Sequence, residues 1–344
     1  MLTDRQLQIL QVIVDDFVIS AQPVGSRQIS KKKGINYSPA TIRNEMADLE
    51  ELGYLEKTHV SSGRIPSEKG YRYYVDHLLQ PKRMSVHEIN LIQSIFEKQK
   101  VEIEQIIRES ASILSELTSY TAILLGPNVT DHRVKRFQII PLSKQTAVAI
   151  IVTDMGHVEN QVIALPEGFD ASDIEKTVNI LNERLIGVPL IHLQSKLEKE
   201  TYEVLKQLVH MADSLILSLI KVASVENDSK IYFGGKTNML NQPEFHDLNK
   251  VRQLMELMDK KNQVISLFQP VKQGITIRIG SENNHIAVEN CSVITASYTA
   301  GEEQSGAIAI IGPTRMDYKR VVTLLDIVRR GLSRTFSEKL NDGQ

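Results

Sequence analysis

The chain has 344 residues, 42% apolar and 24% charged, the make-up of a globular protein long enough for two or three domains. Forty Lys and Arg against 42 Asp and Glu leave a formal charge of -2, which excludes a uniformly basic nucleic-acid coat but not a local basic patch. The single cysteine, Cys291, excludes an intrachain disulfide framework and a thiolate metal cluster and fits a reducing compartment. Residues 1–5 lack the layout of a secretory signal, and no apolar run nears the ~18 residues that span a bilayer. A cytoplasmic protein without a membrane segment is expected.

Residues 1–80 form the first expected unit. Leu7, Leu10, Val14 and Phe17 recur at helical spacing over 5–18, with Thr3 or Asp4 as cap. A short helix over 25–33 stops at Gly34. A third helix starts at Ser38, with Pro39 in the first helical position and Ile42, Met46, Leu49 and Leu52 as its apolar stripe, and closes at Gly53. Residues 54–58 read as a strand and 60–66 as a Ser/Gly/Pro loop. Ser67 caps a fourth helix reaching Leu79.

Beyond Pro81, a long helix is expected over 89–119. Strands follow at 121–125, 137–142, 146–152 and 161–165. Residues 170–225 read as helical. Further strands are expected at 231–234, 274–279, 286–288, 291–298 and 307–311, then a last helix over 317–336. This order describes an α+β multidomain chain whose second domain, 81–165 and 228–344, is interrupted by a mainly helical insert over 166–227.

Enzyme signatures fail on inspection. Gly234-Gly235-Lys236-Thr237 resembles the tail of a phosphate-binding loop, but Lys230 stands where that loop needs glycine. No glycine-rich dinucleotide fingerprint appears, and the histidines lack zinc-site spacing. No cofactor, metal or catalytic residue is assigned.

The first unit gives a sharper signal. Helices followed by strand–loop–strand form a winged helix-turn-helix layout, in which the third helix enters the DNA major groove tip first. Residues 1–80 hold ten cations and ten acids, yet residues 17–44 carry five cations and no carboxylate, and 57–72 carry four cations against Glu68 alone. That polarity suits a helix offering its N-terminal end to an anion.

Ser38 caps the tip, and Ala40 and Thr41 are small enough for close approach and for packing on thymine methyls. Arg43 and Asn44 have the bidentate chemistry for guanine and adenine. Arg27, Lys31, Lys32 and Lys33 suit phosphates, and Ser61, Ser62 and Arg64 suit a wing with Gly63 as its turn. The bland alternatives are a solvated lysine-rich helix end and a protein-interaction module. In the insert, Leu205, Leu208, Ala212, Leu215, Leu219 and Val222 follow a 3-4-3-4-3 seam, suited to core burial or to a subunit interface.

Residues 2–6 (LTDRQ), 23–27 (PVGSR), 38–46 (SPATIRNEM), 49–55 (LEELGYL) and 59–66, with 115–122, 233–235 and 312–318 (GPTRMDY) downstream, together resemble the HrcA family of bacterial heat-shock repressors across almost the whole chain. The resemblance implies a winged-helix domain, a GAF-like domain and a dimerising domain inserted into it. It implies a homodimer on a double-stranded inverted-repeat operator, CIRCE, upstream of class I chaperone operons, and help from the GroEL chaperonin in reaching the active form. On this reading Leu208, Leu215, Leu219 and Val222 serve dimerisation. The competing functions are a ligand-sensing winged-helix regulator with a small molecule in the GAF-like domain, and an enzyme with a DNA-binding appendage. Arg315, in the 312–318 motif, is either a ligand contact or a structural ion pair.

Overall fold

The computed structural model describes residues 2–58, 63–80, 82–97, 103–126, 132–154, 156, 158–201, 218, 231–245, 247–268, 274–300 and 304–341. The amino-terminal unit holds α1 (Asp4–Ser20), α2 (Ser26–Ile29), α3 (Pro39–Glu51), β1 (Leu55–Lys57), β2 (Arg64–Pro66) and α4 (Glu68–His77). A capping box starts α1: Thr3 Oγ1 accepts from Gln6 N–H at 3.3 Å, and Gln6 Oε1 accepts from Thr3 N–H at 3.0 Å. α1 and α3 pack through Ile9, Leu10, Ile13, Ile42, Met46 and Leu49, all buried.

The helix expected over 25–33 ends at Ile29. Lys31 and Lys32 N–H groups bond three residues back, to Gln28 and Ile29 carbonyls, so the chain tightens into turns before Gly34, whose φ is +91°. The loop expected over 60–66 gives way at Arg64 to β2, which pairs antiparallel with β1. Val24 also exchanges backbone bonds of 2.9 and 3.0 Å with Arg64, tying the start of α2 to this ribbon.

The expected helix over 89–119 is described as two, α5 (Val86–Phe96) and α6 (Ile103–Thr118). The remaining elements are β3 (Thr121–Leu125), β4 (Val134–Pro141), β5 (Thr146–Thr153), β6 (Val158–Ala164), α7 (Ala171–Leu185), α8 (Leu190–Lys196), β7 (Ile231–Gly234), α9 (Leu248–Asp259), α10 (Lys261–Phe268), β8 (Ile275–Ile279), β9 (Cys291–Ala300), β10 (Gln304–Pro313) and α11 (Tyr318–Asn341). Residues 286–288, expected as a strand, form a 3-10 turn wrapped around Asn283, whose amide donates to the carbonyls of Gly280, Val288 and Cys291.

Five strands form an antiparallel sheet in the order β7-β3-β10-β9-β8. Alternation gives it two apolar faces. Ala122, Leu124, Ile294, Ile308 and Ile310 join the core under α5, α6 and α11; Ile123, Val293, Ala307 and Ile311 join a second core under α9 and α10. The first core continues into the amino-terminal unit through Tyr71, Tyr74 and Tyr318 without a break.

β4, β5 and β6 form their own antiparallel sheet. One face, with Phe137, Ala147, Ala149 and Ile151, packs on Leu181, Leu185, Leu193 and Leu197 of the following helices as a separate core. The expected boundary at 165/166 therefore does not divide the cores: residues 134–197 belong together, and this unit is sheet plus helix rather than mainly helical. Short apolar strands looked alike in sequence, and only their pairing assigns them to one sheet or the other. Leu208, Leu215, Leu219 and Val222 lie outside the described residues. Among the described residues no helix is long and apolar enough to cross a membrane, and no group of His, Cys, Asp or Glu could hold a metal ion.

Candidate nucleic-acid interface

α3 is set by its first residues. Ser38 is extended (φ -67°, ψ 153°), its Oγ accepts from Thr41 N–H at 3.1 Å, and Pro39 occupies the first turn. Burying Ile42, Met46 and Leu49 turns the opposite side outward. Ser38, Ala40, Arg43 and Asn44 are exposed, and Thr41 is half-buried with its hydroxyl 2.9 Å from Ser38 Oγ. The Arg43 and Asn44 side chains have no hydrogen-bond or ion-pair partner among the described residues.

Around this tip stand Arg27 on α2 and Lys31 and Lys33 in the turns after it, all exposed and likewise without side-chain partners among the described residues. Lys32 differs. Its Nζ lies 2.5 Å from Asp16 Oδ1, so this amine braces α1 against the turn and is not free for a phosphate in this arrangement. The same correction applies to Arg64, whose Nε donates to Glu50 Oε2 at 2.7 Å and whose Nη2 lies 2.6 Å from the same oxygen. It braces the ribbon to α3. Ser61 and Ser62 lie outside the described residues.

Of the other cations counted over 57–72, Lys69 donates to the Leu52 carbonyl at 2.7 Å, and Arg72 is bound to Glu282 and Asp76. Lys57 alone among the four has no described partner. Sequence reasoning did not single it out; its position at the exposed end of a three-residue strand is the signal that finds it. Gly63 has no positive φ. A Cβ there would lie 2.8 Å from Pro23 Cβ and 2.9 Å from Pro23 C, so glycine serves close approach rather than a turn.

The unit is held to the remainder by polar contacts around the continuous core. Asp15 accepts from Tyr74 Oη at 2.6 Å and from Lys319 Nζ at 3.1 and 3.2 Å. Burial, then Asp15, drives the Tyr74 phenol far above its ordinary range. Glu68 accepts from Ser281 Oγ at 2.7 Å, and a side chain at Gly280 (φ +55°) would collide with it. Arg315 pairs with Glu244 and donates to the Val18 carbonyl, in the last turn of α1, at 3.2 Å. Its side chain is 11% exposed, and it acts as a structural ion pair. The tip of α3 takes no part in these contacts.

A family model described as HrcA protein C terminal domain matches residues 104–322. The chain is 64% identical over 343 residues to the heat-inducible transcription repressor HrcA of Lysinibacillus sphaericus, covering 99% of this chain and 100% of that protein. It is 57% identical over 338 residues to the repressor of the same name from Bacillus pumilus, covering 98% of each. A hypothetical protein solved by crystallography at 2.2 Å is 25% identical, with a TM-score of 0.70, over 98% of this chain and 100% of its own. With likeness running the full length of these repressors, the chain belongs to the HrcA family of heat-inducible transcription repressors, which are regulators and not enzymes.

Proposed function

We propose that this repressor binds a double-stranded inverted-repeat operator as a homodimer, with one α3 tip in the major groove of each half-site. The observation that carries the reading is the exposed pair Arg43 and Asn44 on a capped helix tip, flanked by Arg27, Lys31 and Lys33, none of them with a side-chain partner among the described residues. Ser38, Ala40 and Thr41 bring the helix close, Arg43 and Asn44 read base edges, and the flanking cations hold phosphates. Lys57 joins them from β1. In this reading residues 1–80 are a winged helix, the five-stranded sheet with its two helical layers is the GAF-like domain, and the unit built on residues 134–197 belongs to the inserted dimerising domain.

Dimerisation through the insert draws support from its outer sheet face. Ile140, Val148 and Val162 stand in register across β4, β5 and β6, with Leu142 and Val158 nearby, and Ile140, Leu142, Val158 and Val162 are each about half exposed or more. The operator is of the CIRCE type, and GroEL raises the fraction of competent repressor; apparent affinity falls in proportion when that fraction falls. Footprinting on the promoter of a chaperone operon, with and without GroEL, tests the reading. Protection of two symmetric half-sites, strengthened by GroEL, is expected; no protection at any protein concentration would overturn it.

A further inference from the structure

Two helices of the amino-terminal unit meet the five-stranded sheet and its surroundings, and each is gripped at two points one turn apart. On α1, Val18 is among the last four residues, whose carbonyls have no intrahelical donor. Arg315 Nη1 donates to that carbonyl at 3.2 Å, while the rest of the guanidinium is taken by Glu244 and by Gln242 Oε1 at 3.3 Å. One turn back along α1, Asp15 accepts from Lys319 Nζ at 3.1 and 3.2 Å. On α4, Glu68 accepts from Ser281 Oγ at 2.7 Å, and Arg72, one turn on, holds Glu282 and the Ile277 carbonyl.

Two points along a helix fix its direction, and two helices held in this way fix the rotation of the whole unit. The core through Tyr71, Tyr74 and Tyr318 supplies adhesion, but apolar contact is non-directional. Partly exposed ion pairs add little to stability. What they add here is an angle. Arg315 is the most enclosed of the three cations, 11% exposed, and its planar fork spans a carboxylate and a backbone carbonyl from separate segments.

We propose that Arg315, with Lys319 as its second point, is a positioning residue for DNA recognition. By setting the angle of the amino-terminal unit it fixes the separation and relative rotation of the two α3 tips of a dimer, and so the spacer length accepted between half-sites. This rests on the operator reading above. α3 shares its core with α1, so a swivel of α1 carries Arg43 and Asn44 with it. One added base pair moves a half-site by about 3.4 Å and turns it by about 34–36°. A unit held at four points cannot follow that turn; a loosened one can.

The test measures affinity by fluorescence anisotropy for the natural operator, for operators with the spacer lengthened or shortened by one base pair, and for a single half-site. The parent is expected to lose at least tenfold on either altered spacer. In Arg315→Gln/Glu244→Gln, which removes both charges together, that loss should shrink to less than threefold, with half-site affinity within twofold of the parent's. Lys319→Gln, which loosens the same helix without emptying an enclosed pair, should shrink it in the same direction and carries the test where circular dichroism melting shows the double variant unfolded. Spacer discrimination equal to the parent's in the folded variants, or affinity lost equally for half-site and full operator, would overturn the proposal and leave the operator reading standing. A parent indifferent to spacer length would do the same. A parent that binds none of these duplexes would overturn both.

Discussion

Arg72 Nε donates to Glu282 Oε1 at 2.8 Å, joining α4 to a turn 210 residues further along the chain, and Arg72 Nη2 donates to the Ile277 carbonyl at 2.7 Å. Burial by itself raises the Glu282 carboxyl, but the Arg72 guanidinium and the Ile279 N–H more than offset it and hold it below its usual range. A carboxyl depressed in the folded state stabilises above the unfolded carboxyl pKa of about 4.3 and loses that contribution as pH falls through the lower folded value. Glu282→Gln is expected to cost about 0.5–1.5 kcal/mol at pH 7, discounted for solvent screening. The gap should shrink as pH falls below the unfolded carboxyl value of about 4.3 in urea titrations of the two proteins; an unchanged gap would rule out this ion pair as its source.

Arg43→Ala is expected to cost about 1–3 kcal/mol on the operator and to relax base preference at one position in each half-site. Fluorescence anisotropy with operator and single-base variants reads both. Operator affinity equal to the parent's would remove Arg43 from the reading set.

The lysine run divides by what each amine touches. Lys31→Ala and Lys33→Ala should each flatten the salt dependence of DNA binding by about one unit, alike on operator and random duplex. Lys32→Ala should flatten it less, because Asp16 already holds that amine. Equal slopes for all three would show the Lys32–Asp16 pair opening on DNA.

Gly63→Ala places a methyl 2.8 Å from Pro23 Cβ and 2.9 Å from its backbone. Overpacking of this kind costs about 1–3 kcal/mol, and the pairing of Val24 with Arg64 is expected to give way. Thermal melting should show the loss, and amide exchange should speed up at Val24 and Arg64. A melting temperature equal to the parent's would contradict the close approach.

Burial pushes the Cys291 thiol up to about 12, and its side chain is 1% exposed. At pH 8 the folded chain should react with aromatic disulfide reagents far more slowly than the unfolded chain, since the thiolate is the nucleophile. As the single cysteine, it should report unfolding directly when labelling is followed against temperature. Fast labelling well below the melting transition would place Cys291 nearer solvent than the structure does.

Much of this was legible in sequence, for local reasons. Ser38, Pro39 and the Ile42/Met46/Leu49 stripe specify α3 by capping and periodicity, so that helix and its outward Arg43 and Asn44 follow from neighbouring residues alone. Lys32 and Arg64 were legible as cations but not as braces, because Asp16 and Glu50 meet them only through tertiary packing. Arg315 could not be resolved between ligand and ion pair in sequence, since Glu244 and the Val18 carbonyl lie far away along the chain. The assignment of β4–β6 to a separate sheet depends on strand pairing, which apolar alternation does not encode.

The apolar core that passes from α1 and α3 through Tyr71, Tyr74 and Tyr318 to α11 has a thermal consequence. Elements sharing one uninterrupted interior melt cooperatively, so α3 and the five-stranded sheet are expected to lose their structure within the same few degrees. A regulator built this way behaves as a fuse rather than a dimmer.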